Sequence, residues 1–212
     1  QRRQMTTLTA KNVHAVAVDG TFDDCQDLVK AMFNDEKFRD ANQLSAVNSI
    51  NWVRVMAQVV YYITALEKLG RSAVFSVPTG NFGNVLAGWI AKQMGAPIDG
   101  FVVASNKNDI LTRFFESKKM TSNEVVPTLS PSMDIQVSSN FERLIFEMNN
   151  RDGIATAKQL VEFRSTGELN VAAGSYQKWI SFFTWPVSID LRMSRNSSRV
   201  TQISRKCCAR RW

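Results

Sequence analysis

Gly80-Asn81-Phe82-Gly83-Asn84 is the stretch whose residue types and spacing could do chemistry. Two glycines three apart let the backbone take positive φ and come close to a ligand. Asn81 and Asn84 tolerate left-handed geometry and add side-chain donors. The run Ala73 to Val77 precedes them as a buried strand stopped by Pro78. Val85, Leu86, Trp89, Ile90 and Met94 follow at helical spacing. A strand, a tight turn and a helix start together aim backbone N–H groups outward at the positive end of the helix, where an anion fits. The chemistry implied is the holding of a phosphate group, although the same spacing suits a plain structural turn. No Lys-Ser/Thr follows the second glycine, which excludes a nucleotide P-loop, and the glycine spacing is not that of a dinucleotide fold.

A second polar set opens the longest periodic segment, Val47 to Leu69. There Asn51 and Arg54 share a helix face with Gln58 and Tyr62. The set reads as a capped, solvated stripe, or as a polar wall turned to a ligand, with Arg54 able to pair with an anion. Lys107, in the turn Ser105 to Asp109, reads as an exposed lysine. His14 carries no assigned role, and Cys25 reads as part of the buried face of its helix rather than as a reactive thiol.

These residues need a frame. The spacing predicts a strand over Asn12 to Val18. A helix follows, capped by Thr21 or Asp23 and buried along Leu28, Val29, Met32 and Phe33, and then a loop over Asn34 to Gln43. After the long helix, ended by Gly70, come the strand and turn above, a helix to Met94 and a second strand over Phe101 to Ala104. Helices begin at Ile110, Asn140 and Ala155. Strands alternating with helices argue for an α/β fold, an open and mostly parallel sheet with helices on both faces. Ligands in such sheets bind beyond the carboxyl ends of the strands, where both polar turns lie.

Composition narrows the function classes. The chain of 212 residues carries a net charge of +7, which suggests a polyanion partner. However, residues 1–170 hold 18 basic and 18 acidic side chains, and the excess lies wholly in the last 42 residues. The body is therefore not basic, and no nucleic-acid partner is expected. No apolar run is long enough to cross a bilayer, so no membrane role is expected. Cys25, Cys207 and Cys208 make no disulfide framework or spaced metal motif, and suggest a reducing, cytoplasmic setting without a bound metal. The sequence divides into a body, 1–171, and an atypical basic tail, 172–212. The tail loses periodicity and reads as non-native or disordered.

Several blocks, in order, resemble the threonine synthases, pyridoxal-phosphate enzymes of the tryptophan-synthase-β-like group. They are Gln1 to Thr7; Gly20 to Gln26; Asn48 to Trp52 with Arg54, Gln58, Tyr61 and Tyr62; Pro78 to Asn84; Ala104 to Asn106 with Asn108-Asp109; and Ser130 to Ile135. The resemblance covers residues 1–171 and implies part of a type II pyridoxal-phosphate fold of two α/β lobes. It implies pyridoxal 5'-phosphate as cofactor, with its phosphate on Gly80, Asn81, Phe82, Gly83 and Asn84. The implied reaction, in threonine biosynthesis, converts O-phospho-L-homoserine and water to L-threonine and phosphate. Asn51 and Arg54 would then lie near the substrate. A non-catalytic α/β module binding a phosphorylated small molecule is the alternative.

The family's Schiff-base lysine is expected before Gln1 and the partner of the pyridine nitrogen near the C-terminus, so no catalytic residue is assigned within this sequence. The chain is expected to be an internal fragment whose exposed apolar surface lowers its solubility. The chemistry needs that lysine. The purified 212-residue chain is therefore expected to release no phosphate from O-phospho-L-homoserine; turnover in a coupled phosphate assay would refute this.

Overall fold

The computed structural model describes residues 3, 6–48, 50–171, 179, 183, 187 and 188. A small parallel sheet carries the frame. It is made of β1 (Ala73–Pro78), β2 (Ile98–Ser105) and β5 (Val187–Ser188), in the order β1-β2-β5. β1 and β2 run in parallel from Ala73 opposite Ile98 to Pro78 opposite Ala104. A second, antiparallel pair joins β3 (Lys119–Thr121) to β4 (Glu168–Asn170), with Met120 opposite Leu169. That pair was not legible in the sequence, because strands of three residues are too short to show alternation.

Seven helices are described: α1 (Phe22–Asn34), α2 (Glu36–Ala41), α3 (Trp52–Leu69), α4 (Gly83–Gln93), α5 (Ile110–Ser117), α6 (Phe141–Met148) and α7 (Gly153–Thr166). Their ends follow capping chemistry. Thr21 and Asp24 form a reciprocal capping box on α1. Asp35 accepts from the Phe38 N–H and starts α2, a helix where the sequence suggested a loop. Its polar composition hid it, but an acidic cap and one turn suffice next to α1. Asn51 caps α3, and Gly70, at φ 62°, ends it in the left-handed conformation that glycine adopts without strain.

The core forms between α3, α4, α5, α6 and the sheet. Tyr62 on α3 meets Phe75 on β1 and Phe101 on β2 edge-to-face, with centroids 4.8 and 6.0 Å apart. Gly88 lets α4 approach this cluster. Phe82, Phe114 and Phe141 pack edge-to-face beside it. Two described residues of the tail join the core: Phe183 is buried against Phe101 and Phe115, and Trp179 lies 5.1 Å from Trp89. The rest of 172–212 lies outside the described residues.

Two further expectations fail. Residues 12–18 form no strand; among the described residues they have no partner strand, and Val13, Val16 and Val18 are exposed. The helices α1 and α3 are also less buried than their patterns suggest. Leu28 and Met32 on α1 are exposed. On α3 the buried stripe is Val55, Val59, Tyr62 and Leu66, while Val53, Met56, Val60 and Ile63 face outward. β1 likewise exposes Val74 and Ser76. Helix α3 thus carries apolar residues on an outward side as well as on its buried stripe, with Arg54 and Gln58 as a polar face between them.

Gly88 is the tightest approach. A Cβ there would lie 2.5 Å from the Phe101 ring and 2.6 Å from the Tyr62 ring, where no rotamer change relieves it. Gly88→Ala is expected to cost about 1–3 kcal/mol by overpacking, read as a fall in the urea midpoint; an unchanged midpoint would overturn the packing argument.

Candidate functional site

The Gly80–Asn84 turn lies beyond the carboxyl end of β1, and the Ser105–Asp109 turn lies beyond the end of β2. Parallel neighbours with exits on one edge bring these two turns side by side, the placement expected of a ligand site. The Thr79 N–H donates to the Ala104 carbonyl at 2.9 Å and ties the two exits together.

The turn takes its shape at Phe82, which precedes α4 with φ 60° and ψ 0°. A left-handed phenylalanine costs about 1–2 kcal/mol. Its ring is wholly buried, 5.0 Å from the Phe141 centroid and 5.8 Å from that of Phe183, and its N–H donates to the Thr79 hydroxyl at 3.0 Å. The first N–H to close a helical bond is that of Leu86, to the Phe82 carbonyl. The N–H groups of Gly83, Asn84 and Val85 thus stand at the positive helix end with no acceptor inside the helix.

Around the turn the structure assembles side chains that the sequence did not single out for it. The Ser138 hydroxyl donates to the Gly80 carbonyl at 2.8 Å. The Ser139 N–H donates to the Asn81 side chain at 3.3 Å, and the Asn140 N–H to the Asn81 carbonyl at 3.2 Å. The Tyr62 hydroxyl donates to the Asn84 backbone and side-chain oxygens. Burial pushes its phenol far above the usual range, so it remains a donor. Gly80 matters for its small size: a Cβ would lie 3.0 Å from the Met133 Cα and 3.3 Å from the Ile135 side chain, tighter than an ordinary contact. Ser138, Ser139 and Asn140 carry no motif, and only the fold reveals them.

At the neighbouring exit a buried network closes over Asp134. Its carboxyl oxygens accept from Asn106 Nδ2 at 2.6 Å, Asn108 Nδ2 at 3.1 Å, and the Thr128 N–H and hydroxyl at 2.7 and 2.6 Å. Asn108 also bonds both backbone groups of Val126. Lys107, between the two asparagines, is exposed.

Asn51 and Arg54 sit at the start of α3. The Asn51 carboxamide accepts from the Val53 N–H at 2.9 Å and donates to the Ala46 carbonyl. Arg54 is exposed and donates to the Val47 carbonyl at 3.4 Å. A path joins this helix start to the turn: Arg143 donates to the Ile50 carbonyl at 2.7 Å and to the Asn140 side chain, and its guanidinium lies 5.5 Å from the Trp52 ring centroid.

A cavity of about 280 Å³ adjoins the turn, between Tyr61, Tyr62, Ser76, Pro78 and Asn84. A larger one of about 800 Å³ lies between α4 and α6, walled by Trp52, Trp89 and Trp179, and does not include Gly80 to Gly83. Among the described residues no group of three or more His, Cys, Asp and Glu could hold a metal ion, and no helix is long and apolar enough to cross a membrane.

Asp23 on α1 accepts from the Gln136 N–H at 3.1 Å, yet burial outweighs that bond and raises its carboxyl above the ordinary value of 3.8. A raised acid contributes stability below the unfolded value that is lost as pH rises through the folded one. Asp23→Asn is therefore expected to gain on the unchanged chain in thermal midpoint as pH is raised from 3.8; parallel melting curves across pH would refute it.

A profile of the family described as "Pyridoxal-phosphate dependent enzyme" matches residues 1–162. A threonine synthase of Pseudomonas aeruginosa is 52% identical over 182 residues, covering 84% of this chain and 38% of that protein. The threonine synthase of Saccharomyces cerevisiae is 49% identical over 152 residues, 69% of this chain and 30% of that protein. Among solved structures, pyridoxal-phosphate-bound threonine synthase from Brucella melitensis superposes with a TM-score of 0.76 at 50% identity, covering 85% of this chain and 40% of that one. Yeast threonine synthase gives 0.75 at 37% identity, covering 94% and 42%. The chain thus spans between about a third and two fifths of the length of these relatives.

Proposed function

Because this chain belongs to the pyridoxal-phosphate-dependent enzyme family, we propose that it is the phosphate-holding portion of a threonine synthase. The reaction proposed for the intact enzyme converts O-phospho-L-homoserine and water to L-threonine and phosphate, in the cytoplasm. The observation that carries this reading is the Gly80–Asn84 turn. It sits at a parallel-strand exit, starts a helix with backbone donors, and packs Met133 and Ile135 within 3.0 to 3.3 Å of where a Cβ on Gly80 would lie. A dianionic phosphate is the guest such donors favour, and pyridoxal phosphate has that handle.

The residues divide the work. Gly80, Asn81, Phe82, Gly83 and Asn84 form the turn that holds the cofactor's phosphate, chiefly through the N–H groups at the helix start, while the Phe82 N–H is used on Thr79 to shape the turn. Tyr62 fixes Asn84, and Ser138 and Asn140 fix Gly80 and Asn81 from the opposite side. When bound, the cofactor supplies an electron sink for carbanion chemistry on the amino acid. Asn51 has its carboxamide committed to backbone, so it acts by setting the helix start on which Arg54 stands. The Arg54 guanidinium, exposed and with donors beyond the one to Val47, is proposed to receive an anionic group of the substrate.

The handle is tested by titrating the folded chain with pyridoxal phosphate and with pyridoxal. The phosphate form is expected to bind at least tenfold tighter, that is by ~1.4 kcal/mol or more, and Gly80→Val to abolish the difference. Equal affinities would overturn the site. The reaction is tested separately: the full gene encoding this chain is expected to restore growth without threonine to a strain lacking threonine synthase, and failure of an expressed, soluble product would overturn it.

A further inference from the structure

The segment 125–140 forms a strap across both strand exits. One end is fastened at the β2 exit by Asn108 on both backbone groups of Val126 and by the bonds from Asn106 and Asn108 to Asp134, a carboxyl group on which Thr128 of the strap itself also closes. The other is fastened at β1 by Ser138 and Asn140 on Gly80 and Asn81. Its middle is held by α1, where Asp23 accepts from the Gln136 N–H and Gln26 accepts from the Ser139 hydroxyl at 2.6 Å. Asp134 is buried, and the residues on either side of it, Met133 and Ile135, are the two that wall Gly80. The backbone that carries the Asp134 side chain is thus the backbone that walls the turn.

We propose that Asp134 is a positioning residue: it touches no ligand, but by fastening the strap it sets the backbone of Gly80–Asn84 at the geometry a phosphate requires. The proposal rests on the reading of that turn as a phosphate site. Its chemistry suits the task. A carboxyl group accepts several donors at once from different directions, and two asparagines, a hydroxyl and a backbone N–H converge on this one. An asparagine of the same size would turn an N–H₂ toward donors, leaving at least one buried pair opposed.

The test uses Asp134→Asn in the 212-residue chain, with Thr128→Val as a milder variant that removes one donor from the same carboxyl group. Amide hydrogen exchange is read over residues 79–84 and over α7 as an internal reference, and pyridoxal phosphate affinity is read on the folded protein. Both variants are expected to speed exchange at 79–84, Asp134→Asn by about tenfold, as loss of one well-made hydrogen bond would allow, with α7 unchanged. Affinity is expected to fall by about tenfold, the lower end of what losing an outer supporting partner costs at metal sites. Unchanged exchange at 79–84 in either folded variant would overturn the proposal. So would an equal rise in 79–84 and α7, which marks general loosening. If Asp134→Asn does not fold, Thr128→Val decides. If the unaltered chain binds no pyridoxal phosphate, the phosphate-site reading fails, and the exchange measurement still decides whether Asp134 positions the turn.

Discussion

The site depends on one backbone constraint, the left-handed turn at Phe82. A helix start binds an anion only if its first N–H groups point at a common spot, and the residue before the helix sets their direction. Glycine would adopt φ 60° there without strain, but would leave the turn free to adopt others. Phenylalanine pays the conformational cost and is held in place by burial of its ring against Phe141 and Phe183. Burying an aromatic side chain yields about 1.5–3 kcal/mol, against ~1–2 kcal/mol for the strained backbone. The core thus selects one geometry for the turn, and the two glycines beside it supply the close approach.

The polar frame around the turn follows from that choice. Each group that fixes the turn is itself fixed by packing or by a second bond. Tyr62 is gripped between Phe75 and Phe101 before its hydroxyl reaches Asn84. Arg143 lies over Trp52 while joining Ile50 to Asn140. Burial lowers the Arg143 guanidinium from its usual value, yet that value is so high that the group stays charged at neutral pH. This gives α3, whose start carries Asn51 and Arg54, a fixed relation to the turn, although no residue of α3 before Tyr62 touches the turn directly in the bonds described.

What was legible in the sequence is what depends on local pattern. The helix after the glycine turn, the second strand, and the caps at Thr21 and Gly70 are set by residues within a turn of each other. The contacts made at long range were not legible. Ser138 to Asn140 reach residues more than fifty positions away, and nothing in their local types marks the destination. The pattern on α3 misled for a different reason. Apolar residues stand on both sides of the Arg54 and Gln58 face, so periodicity does not choose between them; the sheet does, by offering Phe75 and Phe101 to Tyr62.

The outward apolar positions of α1, α3 and β1 are the counterpart of that ambiguity. Trp52, Val53, Met56, Val60 and Tyr61 form one exposed side of α3, and β1 exposes Val74 and, among the described residues, pairs on one edge only. A soluble domain seldom leaves a helix side and a strand edge of this kind uncovered together. The chain spans between about a third and two fifths of the length of its relatives, and a sequence shaped to pack on both sides of α3 agrees with that proportion. The side of α3 carrying Tyr62 is buried in full, and it is this side that supports the turn. The Gly80–Asn84 turn is therefore supported by contacts within the chain, whereas the apolar side of α3 along Trp52 to Ile63 is exposed among the described residues.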